Sequence, residues 1–290
     1  VNEGIETLEI KRLGFSIPEN VGMNSKVLTK IDSIANYAIS KKMTPGIQVV
    51  VARKGKVIYQ KSFGNHTYES TQKVNNTDVY DIASLTKIVA TLPNVMQEFD
   101  QGHLTLETKL KTMLPEAKNS NKANATVLDM LTHQARFQPW IPFYKATLDS
   151  LNRPSTHFYR SEFSDEFPVH VADKLYLRKN YNDTIVKTIL DSELLPKKQY
   201  KYSDFTFILF KEYLELHNKK SLEDLAHANF FEPLGANSIM YNPLRKMNAN
   251  RIIPTENDNY FRHQIVQGYV HDMAAAMQGG ISGHAGLFAN

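Results

Sequence analysis

Apolar residues at Val27, Leu28, Ile31, Ile34, Ala35, Ala38 and Ile39 recur every three or four positions, the period of a helix with one buried face, and Asn24 or Ser25 precedes them as N-cap. The pattern then changes. Pro45-Gly46 turns the chain, residues 47–52 and 56–63 read as strands, and Lys54-Gly55 is the two-residue turn of a β-hairpin. A second helical run carries Ile88, Val89, Leu92, Val95, Met96 and Phe99, contains Pro93 as a kink, and ends near Gly102. The apolar stretch after Asp204, FTFILFKEYLEL, suits a further buried helix. Between these helices, residues 141–198 are polar and aromatic and are punctuated by Asn152-Arg153-Pro154 and Pro196.

Composition narrows the class without naming an activity. With 290 residues, 42% hydrophobic and 22% charged, the chain can bury a large core as one domain or two lobes. A formal charge of +4 without a basic block argues against nucleic acid as a partner. The absence of cysteine excludes disulfides and thiol nucleophiles. No apolar run approaches the roughly 18 residues of a membrane span, and VNEGIETLEIKR lacks the apolar core of a signal peptide.

Chemistry enters at Ser84-Leu85-Thr86-Lys87, where a hydroxyl and an amine stand three residues apart as a helix begins. That spacing puts both side chains on one face, where the lysine lowers the energy of the serine alkoxide. A second copy, Ser70-Thr71-Gln72-Lys73, lies in the polar stretch YESTQKVNNTD and reads as an exposed turn. Lys87 is different: a cation near the start of a buried helix is badly placed for the helix dipole and costly to desolvate, which favours a function. Downstream, Tyr202-Ser203-Asp204 completes the arrangement of a serine acyl-transferase site.

With these two motifs the chain resembles the serine β-lactamase and penicillin-binding protein superfamily, nearest its class C, D-alanyl-D-alanine peptidase and esterase branch. The segments LGFSIPENVGMNSKVLTKIDSIANYAI, PGIQVVVARKGKVIYQKSFG, VLDMLTHQARF and GYVHDMAAAMQGGISGHAGLFAN resemble that branch's first helix, first hairpin, threonine-histidine segment and a later glycine-rich segment, in the same order. The resemblance implies an α/β (α+β) fold, with an antiparallel sheet flanked by helices and a helical lobe. Residues 1–290 then form one such domain: 1–11 a tail or linker, 12–65 the helix and hairpin of the α/β lobe, 66–270 a mainly helical lobe, and 271–290 the return. The segment 141–198 is longer than the family's usual link and is expected either over the site mouth, setting substrate choice, or as a surface elaboration. The resemblance also implies Ser84 as nucleophile, Lys87 as proton acceptor or electrostatic partner, and Tyr202 as second acid-base group. An oxyanion hole would use the Ser84 N–H and one from a strand. No metal or organic cofactor is implied, the substrate is a small molecule or peptide, and the compartment is extracytoplasmic, periplasm or cell envelope, the export signal being absent from this chain.

Three departures qualify the carry-over. Asp204 stands where many members have asparagine, and a carboxylate only accepts hydrogen bonds whereas an amide also donates. Ala135-Arg136 replaces Ser-Gly after His133, which puts Arg136 at the expected pocket rim, for an anionic substrate group or a surface salt bridge. No Lys-x-Gly occurs, and His284-Ala285-Gly286, the only His-x-Gly, matches a segment that precedes the family's third motif. On that reading the sheet is incomplete, and a homo-oligomer partner, a swapped segment or a C-terminal segment would cover the open hairpin edge.

His263, His271, Asp272 and His284 fall within 22 residues but form no metal signature. His133 and His271 are expected to bond loops near the site, with His271-Asp272 capping the helix MAAAMQ. Trp140 either lines an apolar pocket with Phe143 and Tyr144 or packs in the core. Three functions follow: a serine hydrolase acting through a Ser84 acyl-enzyme on a peptide, β-lactam or ester; a weak or inactive accessory module of a larger envelope protein such as a glycoside hydrolase; or an unrelated helix-rich binding protein.

Overall fold

The computed structural model describes residues 13–290, so the expected tail at 1–11 lies outside the described residues. The chain divides into two compact units, with the boundary between Val79 and Tyr80.

In the first unit, β1 (Gly14–Phe15) pairs in parallel with β3 (Lys56–Gly64), which pairs antiparallel with β2 (Gly46–Arg53). Lys54 and Gly55, at φ +51° and +69°, form the predicted two-residue turn. The predicted first helix is two pieces, α1 (Ser25–Leu28) and α2 (Lys30–Ser40), and Asn24 is the N-cap, its side chain accepting the Val27 N–H at 3.2 Å. Asp32 ties α2 to β3 by accepting from Tyr59 Oη at 2.6 Å and pairing with Lys61 at 2.9 Å. The unit's own core is small: Val21, Leu28 and Ile58 are buried together, while Ile34 and Val50 remain 67% and 57% exposed. The unit extends beyond the predicted limit at residue 65 because residues 65–79 fold back on the hairpin. Val74 N–H bonds Gly64 O at 3.2 Å, and buried His66 meets Asp78 at 3.0 Å. Within that stretch the second Ser-x-x-Lys forms a local turn, in which Ser70 Oγ accepts from the Gln72 N–H.

The second unit holds the main core. β4 (Tyr80–Asp81) leads to α3 (Leu92–Asp100), α4 (Leu110–Met113) and α5 (Val127–Leu131). The segment 141–198 follows, containing the antiparallel sheet β5-β7-β6 (Tyr159–Arg160, Leu175–Leu177, Val169–Ala172) and α6 (Tyr181–Asp191). Tyr159, Val171, Leu177, Ile185 and Ile189 from this segment are buried in the same cluster as Phe205, Leu209 and Met130. It is therefore part of the core rather than a surface elaboration. After α7 (Phe205–Asn218) and α8 (Leu222–Ala226) come β8 (Met240–Tyr241), the hairpin β9 (Glu256–Asp258) and β10 (Gln264–Val266), α9 (Met273–Ala276) and β11 (Leu287–Ala289). β11 lies between β4 and β8, antiparallel to both.

The segment entering β11 is locked to the helix that follows Ser84. Thr91 Oγ1 donates to Gly283 O at 2.7 Å, and Thr86 Oγ1 accepts the Leu287 N–H at 3.1 Å. Gly283 also presses on α7, where an added Cβ would meet Phe207 O at 1.9 Å. Backbone cannot yield as a flexible side chain does. Gly283→Ala is therefore expected to lower stability by about 1–3 kcal/mol, as overpacking of a tight interior does; urea unfolding of both proteins, compared at equal slope, checks it.

Candidate active site

Asp81 begins the construction of the site. Its Oδ1 accepts the Ala83 N–H at 2.7 Å and its Oδ2 the His271 N–H at 2.6 Å. The first bond closes a side-chain turn that holds Ala83 at φ +46°, a left-handed conformation that a β-carbon disfavours. Burial raises the Asp81 pKa in spite of these two N–H bonds. From this strained turn Ser84 leads into the helix, and its own N–H has no acceptor among the described residues.

The helix then widens. Over Lys87–Thr91 it is a π turn, with the Leu92 N–H bonded to Lys87 O five residues back. Pro93 has no N–H and its ring would strike the Val89 carbonyl in a regular α-helix. The wide turn absorbs both defects, and the predicted kink is this π turn.

Lys87 lies at the centre and is only 3% exposed. Its Nζ donates to Ser84 Oγ at 2.8 Å and to His284 O at 3.1 Å, and forms an ion pair with Asp204 Oδ1 at 2.7 Å. The Tyr202 ring lies beside it, with Nζ 5.0 Å from the ring centroid. Asp204 and Tyr202 are held by the loop after α5. Asp204 N–H bonds Pro139 O at 3.0 Å, Ser203 Oγ donates to Gln138 O at 2.6 Å, and Ser203 N–H donates to His133 Nδ1 at 3.2 Å. Because Nδ1 accepts, a neutral His133 carries its proton on Nε2. Burial and then the Lys87 charge lower the His133 pKa against the opposing pull of Asp204, so the ring is neutral at pH 7. Its ring centroid lies 4.6 Å from that of Tyr202, the two rings tilted by 42°.

A third wall comes from residues 272–284. Asp272 caps α9 by accepting the Ala275 N–H at 2.8 Å, as predicted, and the same oxygen lies 2.8 Å from His284 Nε2. His284 Nδ1 meets Ser282 Oγ at 2.8 Å. Burial pushes the Asp272 carboxyl up, but His284, the Ala275 N–H and Lys87 outweigh it and hold the group well below the usual carboxylate range. Behind this wall, buried Arg262 bonds Asp258 Oδ2 at 2.7 Å, Val270 O at 2.6 Å and His271 O at 2.8 Å, which sets the course of the chain into Asp272.

The structure brings Ser84, Lys87, Tyr202, Asp204 and His133 together and adds three residues that sequence reasoning did not place at the site: Asp81, Asp272 and His284. The resemblance of GHAGLF to a family segment was the one signal for His284. The histidine cluster seen in sequence disperses: His263 Nε2 meets Asn152 O at 2.9 Å and His271 Nε2 pairs with Glu256 at 3.3 Å. Asp204, Asp272 and His284 do offer ligand atoms within 4.8 Å of one another, but the Lys87 ammonium already holds Asp204 there. Trp140 is 55% exposed and lines the cleft with Asp204, Asp272, Met273 and His284, so it does not pack in the core. Arg136 is corrected as well. It lines neither this cleft nor a salt bridge; its Nε donates to Leu195 O at 2.5 Å, and a backbone carbonyl takes the guanidinium in place of an anion. Tyr202 is 42% exposed and meets its neighbours through its ring, and its hydroxyl has no partner among the described residues.

A family model described as Beta-lactamase matches residues 35–290. Among curated proteins, the N-acetylmuramyl-L-alanine amidase of Bacillus subtilis (strain 168) is 26% identical over 297 residues, covering 94% of this chain. The chain spans 62% of that relative's length. Among solved structures, the octameric penicillin-binding protein homologue from Pyrococcus abyssi is similar with a TM-score of 0.64 at 19% identity, over 91% of this chain and 53% of the other. The beta-lactamase/D-alanine carboxypeptidase from Yersinia pestis, complexed with citrate, gives 0.61 at 16% identity, over 92% and 66%. At such identities the likeness establishes the fold, which is the mixed α+β fold expected from the resemblance.

The depressed Asp272 pKa carries a pH signature. A carboxyl held below its unfolded value of about 3.9 contributes stability above that pH and loses it as pH falls toward the folded value. Asp272→Asn keeps an oxygen for the cap and loses the charge. It is expected to unfold at lower temperature than the parent at pH 7, with the difference shrinking below about pH 4; thermal unfolding at pH 7 and pH 3 decides, and equal differences at both would contradict the charge pairing.

Proposed function

This chain belongs to the Beta-lactamase family, and on that premise we propose that it is a serine hydrolase forming an acyl-enzyme on Ser84 with a peptide, β-lactam or ester carbonyl. The observation that carries this reading is the buried Lys87 ammonium, 2.8 Å from Ser84 Oγ. Lys87 Nζ donates to Ser84 Oγ and His284 O and is ion-paired with Asp204 Oδ1. Its role is therefore electrostatic, stabilising negative charge on Oγ as the serine proton leaves. That proton passes to Tyr202, whose unpartnered hydroxyl hands its own proton to the leaving group in the same step. Ser84 Oγ then bonds the carbonyl carbon and the leaving group departs neutral. Water reverses the relay to release the acid. The Ser84 N–H, which has no acceptor among the described residues, supplies one oxyanion donor. Trp140 offers an exposed apolar wall to the substrate.

The name of the Bacillus relative, an amidase of N-acetylmuramyl-L-alanine, supports a cell-wall-type amide as substrate and a place in the envelope. No helix among the described residues is long and apolar enough to cross a membrane. The Asp204–Lys87 ion pair favours one second reading, a catalytically weak module of a larger envelope protein. Where an amide would donate to the substrate, Asp204 only accepts.

Incubation with a fluorescent penicillin and, separately, a fluorophosphonate is expected to add one label to the intact chain, and Ser84→Ala is expected to lose it without loss of folding. Labelling that survives in Ser84→Ala removes Ser84 as nucleophile; no labelling by either probe supports the weak module. Asp204→Asn keeps an oxygen for Lys87 and adds a donor to the cleft. Penicillin labelling is expected to quicken by up to about tenfold, the worth of one hydrogen bond, and time-resolved mass spectrometry measures it.

A further inference from the structure

We infer a transition-metal site, suited to zinc, formed by Glu98, His103 and His217 at the C-terminal ends of α3 and α7. It rests on residues outside the candidate active site and goes beyond the hydrolase reading. His103 Nδ1 lies 2.9 Å and His217 Nε2 3.4 Å from the same oxygen, Glu98 Oε2. Ligand atoms around a tetrahedral zinc stand about 3.3 Å apart, and all three ligand atoms here lie within 4.8 Å of one another.

The convergence is built by the two helix ends. Gly102, at φ +75°, closes α3 with bonds from its N–H to Phe99 O and from the His103 N–H to Glu98 O, both 3.0 Å. This cap folds His103 back over the turn that carries Glu98. From α7, His217 presents its ring 4.6 Å from that of His103, and the next residue, Asn218, donates from Nδ2 to Glu98 Oε1 at 2.9 Å. The carboxylate is thereby oriented, with Oε2 turned to the two histidines and to the Tyr213 hydroxyl, which donates to it at 3.4 Å and stands as a second outer partner for a metal ligand. Glu98 is 4% exposed and the two imidazoles 43% and 40%, so a buried anion faces solvent through two rings. Both helix dipoles end here with their negative poles, which adds to the attraction for a cation. Imidazole and carboxylate suit a borderline ion, and three protein ligands leave a fourth position for water. Binding would replace the His103–Glu98 contact with metal–ligand bonds, each imidazole offering the ring nitrogen that now faces the carboxylate.

The ion would join the far ends of the two helices whose beginnings carry Lys87 and Asp204. Its test uses the full chain stripped with EDTA and titrated with zinc chloride by calorimetry in a non-chelating buffer, alongside His103→Ala and His217→Ala, whose exposed rings can be removed without opening the core. One zinc per chain with micromolar affinity is expected, together with a rise in Tm, and each variant should bind at least about tenfold more weakly. Cobalt in place of zinc should give visible absorption of a low-coordinate nitrogen and oxygen site in the parent and not in the variants. Equal zinc binding in all three proteins would overturn the inference by placing the ion elsewhere, as at Asp204, Asp272 and His284. Absence of binding at millimolar zinc would overturn it outright.

Discussion

A buried ammonium organises the second unit. Desolvating a cation costs several kcal/mol unless acceptors replace the lost water, and Lys87 obtains its three from parts of the chain far apart in sequence. Ser84 is on its own helix, Asp204 precedes α7, and His284 precedes β11, 197 residues away. None of these acceptors is held by Lys87 alone. The Asp81 turn sets Ser84, the loop after α5 sets Asp204, and the contacts of Thr91 with Gly283 and of Thr86 with Leu287 set the carbonyl of His284. Removing any one element leaves the ammonium short of an acceptor, so the packing of the unit and the chemistry of its cleft rest on one group.

The same logic explains the outer layer. His133 lies against Tyr202 and accepts from the Ser203 N–H, so a neutral imidazole fixes the Tyr-Ser-Asp turn without adding a second cation beside Lys87. Asp272 supplies an added negative charge, bound to His284 and facing the same ammonium. Burying charge in this density is stable because each carboxylate has a partner: Asp204 the Lys87 ammonium, and Asp272 the Ala275 N–H and His284. Arg262 extends the pattern by fixing the two carbonyls that precede Asp272.

Much of this was legible in the sequence. Ser84, Lys87, Tyr202 and Asp204 lie in short motifs whose spacing is imposed by helix geometry, and the hairpin turn at Lys54-Gly55 needed only local rules. The Asp272 cap was visible for the same reason. The π turn at Lys87–Thr91 was not, because a proline inside a helix signals a defect without saying how it is absorbed. Of its two expected places Trp140 takes the pocket, with Phe143 and Tyr144, while Arg136 leaves the expected rim. A charge near a site motif and an aromatic near a buried helix each suggest a role, yet which way a loop side chain points depends on partners 59 residues away, such as Leu195. The bonds of Asp81 to His271 and of Lys87 to His284 span 190 and 197 residues, and no local pattern in either segment encodes the other.

The identity of residue 204 decides how far proton traffic can run through Lys87. With an amide there, the lysine would have a neutral neighbour and could serve as base. A carboxylate at 2.7 Å instead pairs with the ammonium, while Ser84 Oγ and His284 O accept hydrogen bonds from Nζ. A group in that state stabilises an alkoxide well and receives its proton poorly. On the proposed mechanism the hydroxyl of exposed Tyr202, whose ring packs against a neutral histidine, is then the group left to move a proton. The acid-base burden thus falls on the tyrosine rather than the lysine in that mechanism: nucleophile, cation and aromatic ring converge at Ser84, and the cation is held by its pairing with Asp204.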